Sequence, residues 1–246
     1  MHPKVSIITV CYNAEAFLER TIQSVIAQDY PNIEYVVIDG ASKDNTLAIA
    51  KRYAGHITTL VSEPDKSLYD AMNKGIQRAT GDYVVFMNAG DCIASPQSLS
   101  RMMEGSNNAD LVYSKAEFVD EAGQHRPWHK TTPPPNQLNA RSFMNGMVIC
   151  HQCMLVKRSI APQYDWQTWK IAADINWSIE VMKQVKTAHF YDAIFCHFLA
   201  GGVSDKRRRQ AVKERFRISV QHFGLWATLL VHVKIAFQVI KRGRLS

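Results

Sequence analysis

Short apolar runs alternate with stretches of helical periodicity along the first ninety residues. Four runs bounded by polar turns have the length of buried strands: Val5–Val10, Glu34–Asp39, His56–Ser62 and Tyr83–Asn88. Apolar residues at helical spacing between them predict three helices: Ala14–Ala27, Asp44–Tyr53 and Ser67–Ala79. This alternation is typical of parallel strands joined by helices. The pattern predicts an α/β fold with a mainly parallel sheet flanked by helices.

The pattern changes beyond residue 105. Asp110–Phe118 predicts one or two strands, Met147–Val156 a strand and Ile171–Lys183 a helix. Three prolines in Thr131–Asn136 exclude a helix or an inner strand, so we expect a lid or connecting loop there.

Two amphipathic helices are predicted at the C-terminus. Apolar residues at i, i+4, i+8 and i+11 mark the first: Val212, Phe216, Val220 and Phe223. The second carries a larger stripe: Trp226, Leu229, Leu230, Val233, Phe237 and Ile240. An apolar stripe among basic residues is typical of an interfacial membrane helix. A helix packed on the domain with a solvated basic rim has the same pattern, and both interpretations stay open.

Charge is unevenly distributed over the 246 residues, whose formal net charge is +7. Residues 206–246 hold eleven Lys or Arg and one Glu, a balance of +10, whereas the other 205 residues hold 18 basic and 21 acidic side chains, a balance of −3. A strongly cationic tail predicts a polyanionic partner, either a membrane surface or nucleic acid.

The sequence shows neither a signal peptide nor an apolar run of the ~20 residues that span a bilayer. Five scattered cysteines agree with reduced thiols rather than a disulfide framework. We expect a cytoplasmic protein.

Carboxylates follow two of the predicted strands. Asp39 ends the second strand, and Asp91 closes the turn after the fourth. Ligands of open α/β sheets bind outside the carboxyl ends of the strands, where carboxylates can hold a ribose, a base edge or a divalent cation. Gly40 lets a ligand approach the backbone, and Ser42 or Asp44 can cap the next helix. A strand-end Asp is also an ordinary turn former, but the combination predicts a nucleotide site.

The segment Ser62–Gly75 adds a Pro-led turn and a helix. One predicted face is apolar, with Leu68, Met72, Ile76 and Ala79. The opposite face carries Asp70, Asn73, Lys74 and Gln77. An amphipathic helix with a solvated face would look the same, but Asp65 in the preceding turn favours a binding site.

Four stretches carry a family resemblance: the first strand, the turn after Asp39, the segment Ser62–Gly75 and the turn that ends at Asp91. Taken in this order, they resemble the inverting glycosyltransferases of family 2, which have the Rossmann-like glycosyltransferase A fold. Ser62–Asp91 especially resembles bacterial enzymes that build colanic acid, capsule and O-antigen. The resemblance extends to about Ser204. It implies a catalytic domain over 1–205, with a nucleotide-binding half (1–105) and an acceptor half (106–205), followed by the basic amphipathic tail 206–246.

The resemblance also implies roles for single residues. Those expected to bind the nucleotide sugar are Cys11, Asn13, Glu15, Asp39, Gly40, Ser42, Asp65, Asp70, Asn73, Lys74, Asn88 and Ala89. The turn Asn88–Asp91 matches the acidic metal motif of the family, although Asn88 and Gly90 stand where carboxylates are common. Asp91 is then the one protein carboxylate for Mg²⁺ or Mn²⁺, which often adds substrate phosphates to few protein ligands.

Asp174 is the candidate catalytic base. It is the only acid between Asp165 and Glu180, and its apolar surroundings can raise its pKa. An N-cap of the following helix is the alternative, but the family carries its base at a matching position. The resemblance further places His151 and Gln152 on the acceptor side. It also places the turn Gly201–Ser204 near the donor phosphates.

A zinc site built from Cys150, Cys153 and Cys196-His197 is disfavoured, because strand alternation would point Cys150 and Cys153 to opposite faces. A nucleotidyltransferase or a dinucleotide-dependent oxidoreductase needs a Gly-rich loop after the first strand. Cys11–Glu15 has no glycine.

The predicted reaction is inverting transfer of a sugar from a nucleotide-diphosphate sugar, with UDP favoured, to a saccharide on a polyprenyl diphosphate. The cationic tail would hold the enzyme on the inner face of the cytoplasmic membrane, since each Lys or Arg adds up to ~1 kcal/mol at an anionic surface. We expect no nucleic-acid partner, although Lys206–Arg209 leave a basic nucleic-acid-binding protein as an alternative. A catalytically inactive partner subunit is the other alternative.

Overall fold

Strands and helices alternate from the N-terminus as predicted, in a computed structural model that describes residues 2–121, 124, 137–202 and 207–233. The elements of the first part are β1 (Val5–Cys11), α1 (Leu18–Ile26), β2 (Ile33–Asp39), α2 (Thr46–Arg52), β3 (Thr59–Ser62), α3 (Leu68–Arg78) and β4 (Tyr83–Phe86). All seven residues of β1 are buried, as expected for a strand covered by helices on both faces.

The second part differs more from its prediction. Its elements are β5 (Cys92–Ile93), α4 (Ser98–Met103), β6 (Leu111–Val119), β7 (Met154–Lys157), α5 (Ala173–Gln184), β8 (Ala188–Leu199) and α6 (Arg208–Phe223). Residues 225–233 are also helical. The strand predicted over Met147–Val156 is wrong for most of its length, because His151–Cys153 form a 3₁₀ turn and only the end of the run is β7. The elements β5, α4 and β8 had not been predicted.

Eight strands of the described residues form one sheet, in the order β3-β2-β1-β4-β7-β6-β8-β5. The first four strands pair in parallel, with β1 between β2 and β4. The second half is mixed, because β7 runs antiparallel to both β4 and β6 while β6 and β8 are parallel. The carboxyl ends of β1, β2 and β4 therefore lie at one edge, and chain reversals bring the second half beside it.

The predicted faces of α3 need a correction. Leu68, assigned to the apolar stripe, is 45 % exposed, whereas Asn73, assigned to the polar face, is buried. Asn73 is accommodated because its amide pairs with the backbone of Tyr164, donating to the carbonyl at 2.9 Å and accepting from the N–H at 2.6 Å. Tyr164 in turn stacks on Tyr69 of α3 and Trp177 of α5.

The stripe predicted on α6 is also displaced. Val212 is 55 % exposed, and the buried face consists of Ala211, Glu214, Ile218 and Ser219. The buried carboxylate of Glu214 accepts hydrogen bonds from the backbone N–H groups of Ile171 and Ala172 at 2.8 and 3.0 Å. Since these two residues immediately precede α5, Glu214 connects α6 to the segment that leads into that helix. Phe237 and Ile240 lie outside the described residues, as does the loop Thr131–Asn136.

Candidate active site

The end of β2 is organised by Asp39, which is fully buried. Its carboxylate accepts hydrogen bonds from the Ser42 backbone N–H and hydroxyl and, at 2.6 Å, from the Ser62 hydroxyl. Asp39 thus joins the turn after β2 to the end of β3. Cys11 lies beside it, with its thiol 3.6 Å from the Ile38 carbonyl. Burial raises the pKa of this thiol far above its usual range, so Cys11 is a neutral core residue.

The turns after β1 and β2 are joined by reciprocal hydrogen bonds. Asn13 donates its backbone N–H to Ser42 Oγ and accepts the Lys43 N–H on Oδ1, both at 2.9 Å. Glu15 accepts the backbone and side-chain N–H groups of Asn45 at 2.9 and 2.8 Å. Asn13 adopts φ +47°, a left-handed conformation that Asn tolerates. These bonds hold the two strand ends at a fixed separation.

Gly40 leaves a space that Asp65 fills. A Cβ atom on Gly40 would lie 2.8 Å from Asp65 Oδ2 and 3.2 Å from Cδ2 of Tyr12. The Asp65 side chain is 11 % exposed, while Tyr12 is 60 % exposed. The carboxylate of Asp65, from the turn before α3, therefore lies directly beside Gly40 and next to an exposed aromatic ring.

Lys74 orients Asp65. Its Nζ lies 2.6 Å from Asp65 Oδ1 and 3.1 Å from Glu63 Oε1. Desolvation raises the pKa of Asp65 although Lys74 opposes the shift, so a partly buried carboxylate is held beside a cation. Asp70 has a local role, because its Oδ2 accepts the Lys66 N–H at 2.9 Å. Lys74 thus fixes the position of the Asp65 carboxylate, and Asp70 stabilises the turn before α3.

The turn after β4 is fastened to α1. Thr21 Oγ1 donates to the Asp91 carbonyl at 2.8 Å and accepts the Gly90 N–H at 2.9 Å. Arg20 donates to the Gly90 carbonyl at 2.6 Å. The Ala89 N–H donates to the Val10 carbonyl at 3.2 Å, which binds the turn to β1. The backbone of the turn is thereby fixed from two sides.

The Asp91 carboxylate is buried and held by protein donors. It is 4 % exposed, and its oxygens accept hydrogen bonds from the Leu199 N–H and the Gln152 side-chain amide, both at 2.9 Å. Desolvation raises its pKa to about 7. The described residues contain no group of three or more His, Cys, Asp or Glu that could hold a metal ion. The assignment of Asp91 to a cation stays a prediction, and we derive no step through a metal.

Buried polar atoms without a partner gather next to this turn. Within the described part of the chain, they include Asn88 Oδ1, His151 Nε2, Gln152 Oε1 and the Tyr164 hydroxyl. The His151 ring packs edge-on against Phe86, the last residue of β4, and against Tyr164. Burial lowers the pKa of His151 to about 4, so the ring is neutral near pH 7. Because unpaired buried polar atoms cost about 1–3 kcal/mol each, their grouping indicates a place where a ligand supplies partners.

Asp174 lies in the first turn of α5. The N-cap of α5 is Ala172, without a side-chain bond, so the alternative role of Asp174 as N-cap is not the one observed. Its Oδ1 accepts the Ile175 N–H at 2.9 Å. Desolvation raises its pKa, opposed by that bond, by Arg215 and by the Tyr69 hydroxyl. Tyr69 connects this turn to α3 by donating to the Ile171 carbonyl at 2.8 Å. A carboxylate with a raised pKa suits a general base.

The glycosyl transferase family 2 model matches residues 6–164. The chain belongs to this family. A glycosyltransferase of Mycobacterium tuberculosis is 31 % identical over 217 residues, which cover 85 % of this chain and 80 % of that protein. TuaG of Bacillus subtilis, a glycosyltransferase named for teichuronic acid biosynthesis, is 25 % identical over 190 residues and covers 76 % and 75 % of the two chains. The protein is a glycosyltransferase.

Solved structures confirm the fold of this glycosyltransferase. TarS of S. aureus, residues 1–349 in complex with UDP, superposes with a TM-score of 0.66 and 18 % identity over 88 % of this chain and 64 % of that one. A mannosyltransferase of Pyrobaculum calidifontis, in complex with GDP-Man and Mn²⁺, gives a TM-score of 0.64 and 18 % identity over 90 % and 65 % of the two chains. At this identity the likeness shows the fold alone. This chain spans slightly less than two thirds of either structure.

Two residues that contact the candidate site of this glycosyltransferase were not singled out from the sequence. Tyr12 follows β1 in the middle of the predicted Cys11–Glu15 turn, and exposed aromatic character was its available signal. Glu214 is only one charge of the tail in the sequence, and no local motif shows that it binds the backbone just before α5. Gly201 and Gly202 follow β8, while Val203 and Ser204 lie outside the described residues. Among the described helices, none has both the length and the apolar content of a membrane span.

Proposed function

We propose that this glycosyltransferase transfers a sugar, with inversion, from a UDP-sugar to a saccharide on a polyprenyl diphosphate during bacterial surface polysaccharide synthesis. The observation that carries the proposal is the convergence of Asp65, the unpaired polar atoms near β4 and Asp174 around one edge of the sheet. UDP is present in the TarS complex, and TuaG is named for teichuronic acid biosynthesis. These findings support the donor and the pathway class.

The nucleoside would bind between the ends of β1 and β2. The Tyr12 ring offers a face for the base, and the acceptor-only carboxylate of Asp65 can accept an N–H of uracil or guanine. Asp39, Asn13 and Ser42 would act indirectly by fixing the loops. Cys11, Glu15, Asp70, Asn73 and Lys74 belong to the same support. Most of the residues predicted to bind the donor would therefore support the site, and few of them would contact the donor directly.

Asp174 would accept the proton of the attacking acceptor hydroxyl, and attack opposite the leaving group inverts the anomeric carbon. A base works only when ionised, so the raised pKa of Asp174 places the acidic limb of the rate profile above the usual range of Asp. A divalent cation is part of the proposal only as a companion of the donor diphosphate, as Mn²⁺ accompanies GDP-Man in the Pyrobaculum enzyme.

The membrane surface would be contacted by the helical segment 225–233. Five large apolar side chains of this segment are exposed: Leu225, Trp226, Leu229, Leu230 and Val233. Basic residues at 207–209, near the start of α6, are exposed as well. Exposed apolar and cationic groups together favour an anionic lipid surface, which would bring a lipid-linked acceptor to the cleft. The protein would then lie on the inner face of the cytoplasmic membrane.

A thermal-shift and calorimetric panel of UDP, UDP-sugars and GDP-sugars tests the donor. We expect UDP and at least one UDP-sugar to bind, and Asp65→Asn to weaken both. An inactive partner subunit would bind a donor without turning it over, so donor hydrolysis by the purified protein separates the two functions. Absence of binding by any nucleotide sugar would contradict the proposal.

The membrane contact is tested best by substitution. Deleting residues 206–246 would also remove Glu214 and its hydrogen bonds to the backbone just before α5. We expect Trp226→Ser with Leu230→Ser to reduce sedimentation with vesicles of phosphatidylglycerol and phosphatidylcholine. Val212→Ser is the matched control, since Val212 is also exposed but lies on α6. Unchanged sedimentation of the double variant would refute the contact.

A further inference from the structure

Asp91 is 4 % exposed, and each of its carboxylate oxygens accepts a hydrogen bond from the protein. Its Oδ1 accepts the N–H of Leu199 at the end of β8, and its Oδ2 accepts the side-chain amide of Gln152, in the 3₁₀ turn before β7. Both oxygens therefore face protein donors. The carboxylate joins the turn after β4 to two segments that are distant in sequence.

Gly90 explains why Asp91 lies so close to β8. Gly90 has φ +108°, and a Cβ atom there would lie 2.7 Å from the Leu199 side chain. A larger residue at position 90 would be strained at this φ and would have to displace the Leu199 side chain. Glycine at position 90 therefore lets the turn pack closely against the end of β8.

The bond to Asp91 fixes which way the Gln152 amide points. A carboxylate can only accept, so the NH₂ group must face Asp91 and Oε1 must face the opposite side. Gln152 is 2 % exposed, and Oε1 has no hydrogen-bond partner in the described residues. A buried acceptor held in one orientation without a donor is a place for a ligand hydroxyl.

We propose that Asp91 is a positioning residue that holds Gln152 Oε1 ready to accept a hydrogen bond from a sugar hydroxyl, and that Asp91 does not bind a metal ion. The inference rests on the proposed function for the identity of the ligand. Either the transferred sugar or the accepting sugar could supply the hydroxyl, and the measurements below distinguish them.

The decisive variants exchange the two partners. In Asp91→Asn the amide can accept from the Leu199 N–H only if its NH₂ group faces Gln152. The Gln152 amide must then turn over to accept from it, which takes Oε1 away from the ligand side. When Asp91→Asn is combined with Gln152→Glu, the amide at position 91 can accept from Leu199 and donate to the carboxylate at position 152, which keeps an oxygen on the ligand side. Gln152→Ala removes Oε1 without touching the Leu199 bond. Asp110→Asn is the control, because Asp110 also accepts two backbone N–H groups, from Lys186 and Thr187, at the other end of β6 and β8.

The measured quantities are the affinity for UDP, the affinity for the UDP-sugar and the acceptor KM. Asp91→Asn and Gln152→Ala should leave the UDP affinity within about twofold and weaken one sugar-dependent quantity by about tenfold, the value of one hydrogen bond. The UDP-sugar affinity reports the transferred sugar, and the acceptor KM reports the accepting one. The exchanged pair should recover the weakened quantity to within about threefold of the wild type. Asp110→Asn should change neither the UDP affinity nor the sugar-dependent quantities. No recovery in the exchanged pair, or an equal loss of UDP affinity, would overturn the proposal.

Two readouts are independent of turnover. The unfolding temperature without ligand should fall in Asp91→Ala, which leaves the Leu199 N–H and the Gln152 amide without an acceptor, and should stay near that of the wild type in the exchanged pair. This comparison tests the Asp91 bonds even if no nucleotide sugar binds and the proposed function fails. Calorimetry with Mn²⁺ should show equal binding to the UDP complexes of the wild type and Asp91→Asn. Mn²⁺ binding that is lost in both Asp91 variants would make Asp91 a metal ligand and refute the inference.

Discussion

Gly40→Ala should weaken UDP binding without unfolding the protein. A Cβ atom at this position meets Asp65 Oδ2 at 2.8 Å and the Tyr12 ring at 3.2 Å. An ordinary contact starts near 3.4 Å, so the carboxylate must retreat by about 0.6 Å and the ring by about 0.2 Å. Both neighbours are side chains that can move. The cost therefore falls on the positions of Asp65 and Tyr12 rather than on the fold.

A hydrogen bond to a charged group contributes about 1.5–3 kcal/mol, so losing its geometry should weaken UDP by about 10- to 150-fold. Isothermal titration with UDP measures this change, and the unfolding temperature without ligand checks the fold. Gly55→Ala is the matched control, because nothing lies within 4 Å of a Cβ atom there. In an Asp65→Ala background, Gly40→Ala should add little, since both changes remove the same contact. A folded Gly40→Ala variant that binds UDP within threefold of the wild type would refute the reasoning.

Three further changes have defined outcomes. Asp174→Asn should reduce kcat by about 10²–10⁴-fold with unchanged UDP affinity, and near-normal turnover would disprove its role as base. Tyr12→Ala should weaken UDP by about 1–3 kcal/mol, the value of base stacking, while Tyr12→Phe binds normally; equal loss in both would exclude stacking. Burial raises the pKa of Glu34, but hydrogen bonds from Ser6, Thr80 and Lys4 outweigh this effect and lower the pKa from 4.5 to about 2. Ionised Glu34 therefore stabilises the fold by ~3 kcal/mol. This contribution is complete above pH 4.5 and disappears as the pH falls towards 2; urea unfolding of Glu34→Gln should show its loss at pH 7, and an unchanged midpoint would contradict it.

Local periodicity was sufficient for the first half of the fold. The apolar runs of β1, β2 and β4 are continuous because both sheet faces are covered, so their positions followed from the sequence. The strand β8 was missed because polar residues interrupt its apolar positions and much of it is only partly buried. The buried face of α6 was misplaced because a paired Glu214, rather than an apolar residue, lies at its centre.

The candidate site shows the same limit. The sequence predicted that Asp39 ends β2 and that Asp91 follows β4, but it could not show that both carboxylates accept hydrogen bonds from protein donors. Their hydrogen-bond partners Ser62 and Leu199 lie far away in the sequence, and no local sequence pattern predicts these contacts. The sequence also could not show that Asp65, from the turn before α3, lies beside Gly40.

The hydrogen bonds of Glu214 connect α6 to the segment that leads into α5. The two backbone N–H groups that Glu214 satisfies lie three and two residues before Asp174, so a shortened protein ending near residue 205 would lose the support of the turn that carries the proposed base. Loss of activity in such a truncation would therefore not by itself demonstrate a membrane contact. Substitutions on the exposed face of residues 225–233 test the proposed contact without touching Glu214.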